Sequence, residues 1–543
     1  MAVGDRVRVE LAKREYLGVV SVVHADPAGL ENKIVPILGP APDIPRIHPR
    51  EIAFWRSLAD YYLCTVGEVY KAAYPAGKPE KEPARPVKPK ADTPTEPKPL
   101  NLRPEQEDAD QAVRSAFSAG KTVLLQGGKA GSGRTEVYLR LAQEALSSGK
   151  SVLYLVPEIV LSRQLEEQVA AVIPSVHIYH SAITQARKRQ VVKAVRESAA
   201  TLVLGTRSAL FLPHHNLGLI VLDEEQDISF KQDAPAPRYY AREAAILLAG
   251  IQGARVLLGS ATPSLETIYN AQRGVYSRVV LRDTTGGEAV SFQVINLAAE
   301  AHKKGMSGSF SLQLLASMHS AVAAGQKILV VCRAKSDIPG ITAELESIFG
   351  AAVRKMALAT PASVKAQPAA VFPLTVMVQA DGLLAKDDFR CDERAWQVLC
   401  LLRERCSPGG QLILQTWEAA HPLFQGFPQD PTQEMLAERR RFGYPPYTRL
   451  VHVVLKDANV KRLEYLSRAL VRTLRQAVPS ARWMGPYAPK QELVGKEHVR
   501  VLSATLQRDR QLIPAKHALA RSLNDWAHEN GYESHLHIDV DPV

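Results

Sequence analysis

No run of eighteen or more apolar residues occurs anywhere in the 543-residue chain, so no transmembrane helix and no membrane partner is expected. The opening string Met1-Ala2-Val3-Gly4-Asp5-Arg6 contains no apolar stretch of the signal-peptide kind, and a cytoplasmic location is the expectation. Cysteine is scarce, and Cys64, Cys332, Cys391, Cys400 and Cys406 include no C-x-x-C pair. That spacing excludes a readable zinc site and points to reduced thiols. No internal repeat is visible, which excludes a solenoid.

The chain is too long for one core, and about three or four domains are expected. Its composition, 46% hydrophobic and 23% charged, is ordinary for a globular protein. The net charge of +11 fits a polyanionic partner, because Lys and Arg placed on phosphates release counterions.

Residues 1–74 read as a small β-rich module. Val7-Arg8-Val9-Glu10-Leu11 alternates like a half-buried strand, 17–23 and 34–38 are further strand candidates, and one helix is expected from about Pro49 to Tyr62. Residues 75–99, rich in Pro, Lys and Glu, cannot pair as strands or bury a core and read as a linker. Residues 100–285 alternate apolar strands, at 122–126, 152–156, 202–205, 219–223 and 256–259, with amphipathic helices. That pattern predicts a parallel sheet covered on both faces. A weaker α/β region spans 286–427, with strands at 328–332 and 411–415, and an α+β unit spans 428–543.

The strand at 122–126 runs into Gly128-Lys129-Ala130-Gly131-Ser132-Gly133-Arg134-Thr135. This is G-x-x-x-x-G-K-[ST] with Arg134 at the lysine. Glycines let backbone N–H groups curl round phosphates, and the helix that follows aims its positive end at them. Arginine is a planar fork and cannot deliver the single compact charge of the lysine. Leu219-Ile220-Val221-Leu222-Asp223-Glu224-Glu225-Gln226 is an apolar strand ending in acid. In such a pair the first carboxylate holds Mg²⁺ and the second orients the attacking water. Asp223 and Glu224 are therefore the candidate catalytic residues. Gly128, Gly131, Ser132, Gly133, Arg134 and Thr135 are the candidate nucleotide-binding residues. Gln226 stands where D-E-x-H proteins carry His.

Further strings are Leu102-Arg103-Pro104-Glu105-Gln106, Pro157-Glu158-Ile159-Val160-Leu161-Ser162-Arg163-Gln164, His180-Ser181, Gly205-Thr206-Arg207-Ser208-Ala209-Leu210-Phe211 and Gly259-Ser260-Ala261-Thr262-Pro263-Ser264-Leu265-Glu266. Lys231-Gln232, Arg238-Tyr239-Tyr240-Ala241-Arg242, Asp388-Phe389-Arg390 with Glu393-Arg394, Tyr444-Pro445-Pro446-Tyr447 and Asp539-Val540-Asp541-Pro542 complete the set. In this order they resemble the PriA family of replication-restart proteins over nearly the whole chain. The resemblance implies a multidomain α/β architecture. Two RecA-like superfamily 2 helicase lobes, the second degenerate, would follow an N-terminal DNA-binding domain and precede a C-terminal domain. It adds Gln106 as an adenine reader. Candidate phosphate contacts are Arg6, Arg8, Arg14, Arg207, Lys231, Arg238 and Arg439 to Arg441.

Against the family, the zinc-binding insertion is missing after Val331-Cys332-Arg333. No G-T-Q-M-x-x-K-G string is read between Ala357 and Thr375. Only Arg403 and Arg405 lie where arginine fingers are expected. The family's strands ahead of the V-G-D-R-V-R-V string are not represented, and a Pro-rich linker stands in place of its winged helix. The resemblance therefore implies a protein that recognises forks and D-loops and nucleates primosome assembly without unwinding DNA. Helicase-loading proteins and single-stranded DNA-binding protein are the implied partners. ATP with Mg²⁺ is the cofactor of such a site, and Arg134 argues against its turnover. The alternative is an active 3′–5′ helicase.

Overall fold

The computed structural model describes residues 1–11, 13–26, 34–74, 99–127, 133–282, 288–366, 370–385 and 388–543. Apart from Pro99, the expected linker lies outside these residues, as do Gly128, Gly131 and Ser132.

The N-terminal unit is a three-stranded antiparallel sheet, with Arg6–Leu11 between Arg14–Val19 and Ile37–Pro40. It carries two helices rather than the expected one, Pro49–Tyr62 and Val66–Ala73. Leu63, at φ 53°, ends the first, and Thr65 and Glu68 form a reciprocal cap that starts the second. T-x-x-E was therefore the readable signal of a second helix.

Seven parallel strands form the first lobe, in spatial order Tyr276–Leu281, Thr122–Gly127, Arg255–Ser260, Leu217–Asp223, Ser151–Leu155, Leu202–Gly205 and Val176–Tyr179. The five expected strands are present. The two edge strands were missed because each is only partly apolar and half-exposed.

The second lobe is a five-stranded parallel sheet, in order Ser291–Asn296, Cys406–Thr416, Phe372–Met377, Ile328–Val331 and Met356–Ala359. The strands expected at 328–332 and 411–415 are both in it. The last unit is an antiparallel sheet in order Arg482–Tyr487, Glu497–Gln507, Thr448–Asp457 and Leu536–Val540. A fifth, two-residue strand, Leu493–Val494, also pairs with Glu497–Gln507; apart from it, with helices Val460–Ala477 and Leu512–Asn530, the unit runs β-α-β-β-α-β, a split β-α-β arrangement.

One apolar core runs through all four units. Phe54 and Trp55 of the first, Leu155 and Tyr240 of the second, Met377 and Leu414 of the third and Leu470 and Trp526 of the last belong to it. Each lobe sheet has its other face covered by a separate core, one around Tyr138 and Val221, the other around Met318 and Val376. The two-sided burial that the apolar strand runs implied is thereby met.

Candidate nucleotide cleft and DNA contacts

A cleft of about 450 Å³ lies between the lobes. Arg134, Thr135, Asp223, Glu224 and Gln226 line it from the first lobe, and Lys365, Arg394 and Arg405 line it from the second. The helix Arg134–Ser147 begins at Gly133, which sits at φ +91° with Gln106 directly beneath it. That positive φ favours glycine, and a Cβ there would also displace Gln106 Nε2, which would lie 2.0 Å from it. Gln106 is almost fully buried; its Nε2 donates to the Gly133 carbonyl at 3.0 Å and its Oε1 accepts from Arg103 N–H at 2.7 Å. Both of its polar ends are thus engaged, one of them at the start of the helix Arg134–Ser147.

The acidic pair ends its strand as expected, but protein groups surround it. Glu224 turns the chain at φ 53°, an uncommon conformation for a side chain of this size. Its Oε1 lies 2.5 Å from Arg134 Nη2. Its Oε2 accepts from Gln226 Nε2 at 2.8 Å and lies 3.6 Å from Lys365 Nζ. Asp223 Oδ1 accepts from the Tyr138 hydroxyl at 3.0 Å and lies 3.6 Å from Arg134. Ser260 donates to Gln226 Oε1 at 2.6 Å, so glutamine takes the histidine's place as a neutral bridge.

These contacts set the ionisation. Burial opposes the charge on Glu224, yet Arg134 and Lys365 together outweigh it and hold the carboxyl down to about 2. Asp223 is pushed upward because burial outweighs the pull of Arg134. Lys365 loses hydration on burial, but Glu224 and Asp227 more than compensate and keep it protonated. Its Nζ is 2.5 Å from Asp227 Oδ2.

Lys365 was not singled out in the sequence, although a signal was there. Thr360 and Lys365 keep the T-x-x-x-x-K spacing of G-T-Q-M-x-x-K-G, while every other named position has changed. Neither finger candidate projects a free guanidinium at the acids. Arg405 donates to the Val364 carbonyl at 3.1 Å, and Arg403 lies over the Phe427 ring.

Several expected phosphate contacts are corrected by burial. Arg6 is 7% exposed, held between Tyr70 and Tyr74 with a hydrogen bond to the Tyr70 hydroxyl. Lys231 is 3% exposed and paired with Asp539 at 2.7 Å, also donating to the Val540 carbonyl. It ties the first lobe to the last strand. Arg439 is likewise buried between Glu266 and Glu393. Arg207 donates to the Ser229 and Lys231 carbonyls, and Arg238 to the Asp233 carbonyl, so both brace the loop between them. Arg8, Arg14, Arg440 and Arg441 remain exposed.

Among the described residues no group of three or more His, Cys, Asp or Glu side chains is arranged to hold a metal ion. Elemental analysis of the purified protein is expected to return well under one zinc per chain. One or two zinc ions per chain would overturn the reading of the cysteines as plain thiols.

Residues 1–75 match the family model of the PriA 3′DNA-binding domain (3′BD), and residues 104–271 match that of the DEAD/DEAH box helicase. The replication restart protein PriA of Haemophilus influenzae is 40% identical over 225 residues, 41% of this chain and 30% of that one. The replication restart protein PriA of Rickettsia prowazekii is 34% identical over 291 residues, 51% of this chain and 42% of that one. The chain matches less than half the length of these curated relatives. Among solved structures, the DUF1998 helicase MrfA bound to DNA aligns at 14% identity and a TM-score of 0.43. That alignment covers 77% of this chain and 58% of that one.

Proposed function

Since the chain is a relative of the replication restart proteins PriA and a helicase-like superfamily 2 protein, we propose that it acts in replication restart as a non-unwinding platform. It recognises branched DNA such as stalled forks and D-loops and nucleates primosome assembly, with helicase-loading proteins and single-stranded DNA-binding protein as partners. The observation that carries the passive part of this reading is the state of the acidic pair. Both Glu224 oxygens are engaged by protein groups, and Arg134 lies against both carboxylates. As arranged, these residues do not fit a magnesium ion with its waters.

DNA binding is expected to be independent of ATP, to follow DNA shape more than sequence, and to weaken steeply with salt. Titrations of forked, duplex and single-stranded DNA at two salt concentrations test this. Replacing the exposed Arg8 and Arg14 by Gln is expected to flatten the salt dependence on forks by about 2 in log–log slope, near 0.9 per lost contact. Equal affinity for all three DNAs would sink the fork-recognition reading.

A further inference from the structure

We propose that the outer face of the helix Val460–Ala477 is a contact track for single-stranded DNA, with Tyr465 stacking on a base and four cations following the phosphates. The inference rests on the DNA-binding reading above and assigns it a surface that none of the sequence motifs includes.

The helix buries Leu463, Leu466, Leu470, Val471 and Leu474 against its sheet. The opposite side carries Lys461, Tyr465, Arg468, Arg472 and Arg475. Their steps of four, three, four and three residues place all five on one stripe. At about 1.5 Å per residue the stripe is about 20 Å long.

The cations on it differ from Arg6, Lys231 and Arg439 in being unclaimed. Among the described residues no carboxylate pairs with Lys461, Arg468, Arg472 or Arg475. Arg462, off the stripe, is paired with Asp457, and the nearby Glu464 is held by Arg500 at 3.3 Å. Arg475 lies in the last turn, where the helix dipole favours it, but four like charges along one face repel one another, and a polyanion laid on them relieves that repulsion.

Tyr465 decides what kind of anion. It is 69% exposed, the highest exposure among the large hydrophobic side chains of the described residues. A ring standing clear among cations has a use where bases are unstacked and can lie on it, which is the condition of a single strand. A duplex offers phosphates but no free base face, and an acidic peptide offers charge without a flat ring.

The helical layer also points to a free surface. The first lobe reaches the last strand of this unit through Lys231 and Asp539, while Asp60 of the N-terminal unit meets Lys516 and His517 of the other helix. Neither contact includes a residue of the stripe.

The test uses the full chain and fluorescence anisotropy with a labelled oligo-dT, a matched duplex and an acidic peptide at several salt concentrations. The Arg468→Gln/Arg472→Gln/Arg475→Gln triple variant is expected to flatten the single-strand salt slope by about 2, near 0.7 per contact. Tyr465→Ala is expected to weaken the single strand about tenfold and leave the duplex unchanged. All four side chains are exposed, so thermal melting checks that both variants stay folded.

If the unmodified chain binds DNA and the triple variant keeps its slope, the track is wrong and the broader reading stands. Loss confined to the duplex or to the acidic peptide also overturns it. If the unmodified chain binds no DNA at all, the broader reading fails and takes the track with it.

Discussion

Forked DNA should leave ATP hydrolysis by this protein at background. The expectation follows from which charges occupy the cleft. A P-loop site works by placing a compact ammonium and a Mg²⁺ ion on the β- and γ-phosphates, with fingers from the second lobe on the transferring group. Here Arg134 points away from that task, its guanidinium 2.5 Å from Glu224. Lys365 of the second lobe engages Glu224 and Asp227. Arg405 is turned to the Val364 carbonyl. An arginine finger alone contributes roughly 10³–10⁵ in rate. A phosphate-release assay with and without forked DNA checks this, and turnover of about 1 s⁻¹ or more would falsify the passive reading. Arg134→Lys by itself should not restore unwinding, since Lys365 still faces the carboxylates and no finger returns. Strong helicase activity in that single variant would mean that the second lobe supplies the missing finger after all.

Arg439→Met should destabilise the protein by about 3–5 kcal/mol, the usual result of removing one partner from a buried ion network. Arg439 is 2% exposed and bonds Glu266 Oε1 at 3.1 Å, Glu393 Oε2 at 2.5 Å and the Pro445 carbonyl at 3.2 Å. Glu393 also accepts from Leu265 N–H, and Glu266 is shared with Arg390 at 2.6 Å. The network therefore joins the S-A-T-P-S-L-E segment, the D-F-R segment and the helix Thr432–Phe442, which belong to three different units.

Removing Arg439 leaves two buried carboxylates with one guanidinium between them. Burial pushes the Glu266 carboxyl upward, but Arg390, Arg439 and Arg242 together hold it well below the ordinary 4.5. A depressed carboxylate contributes stability that is present above its unfolded value and lost as pH falls through its folded value. The difference between native and variant should therefore narrow as pH drops below about 4.5. Urea unfolding at neutral and acidic pH measures both effects. Arg439→Lys should recover only part of the loss, because an ammonium cannot bridge three acceptors in the same plane. A loss under about 1 kcal/mol at neutral pH would show that the seam between the units is held by its apolar core alone.

Local pattern was enough for the five inner strands of the first lobe and for the strand that ends in the acid pair. Apolar runs such as Leu219–Leu222 are continuous because both faces of a parallel strand are covered, and that requirement is written in consecutive residues. The glycine at 133 before a helix and the T-x-x-E cap at Thr65 are local in the same way. Lys365 was legible only as a spacing, because the residues around it had changed.

The fate of the basic residues was decided by the tertiary structure. Lys231 and Asp539 meet although some three hundred positions separate them, and nothing in a string of residues states such a meeting. Arg6, Arg439 and Lys231 resemble phosphate contacts in sequence, but Arg6 is enclosed by the Tyr70 and Tyr74 rings of its own unit and the other two by carboxylates from other units. Lys461, Arg468, Arg472 and Arg475 stand unpaired because, among the described residues, no carboxylate packs against them, whereas Arg462 of the same helix is held by Asp457. A charge acquires its role from its desolvation and its partner, and both are properties of the packed chain rather than of the segment that carries it.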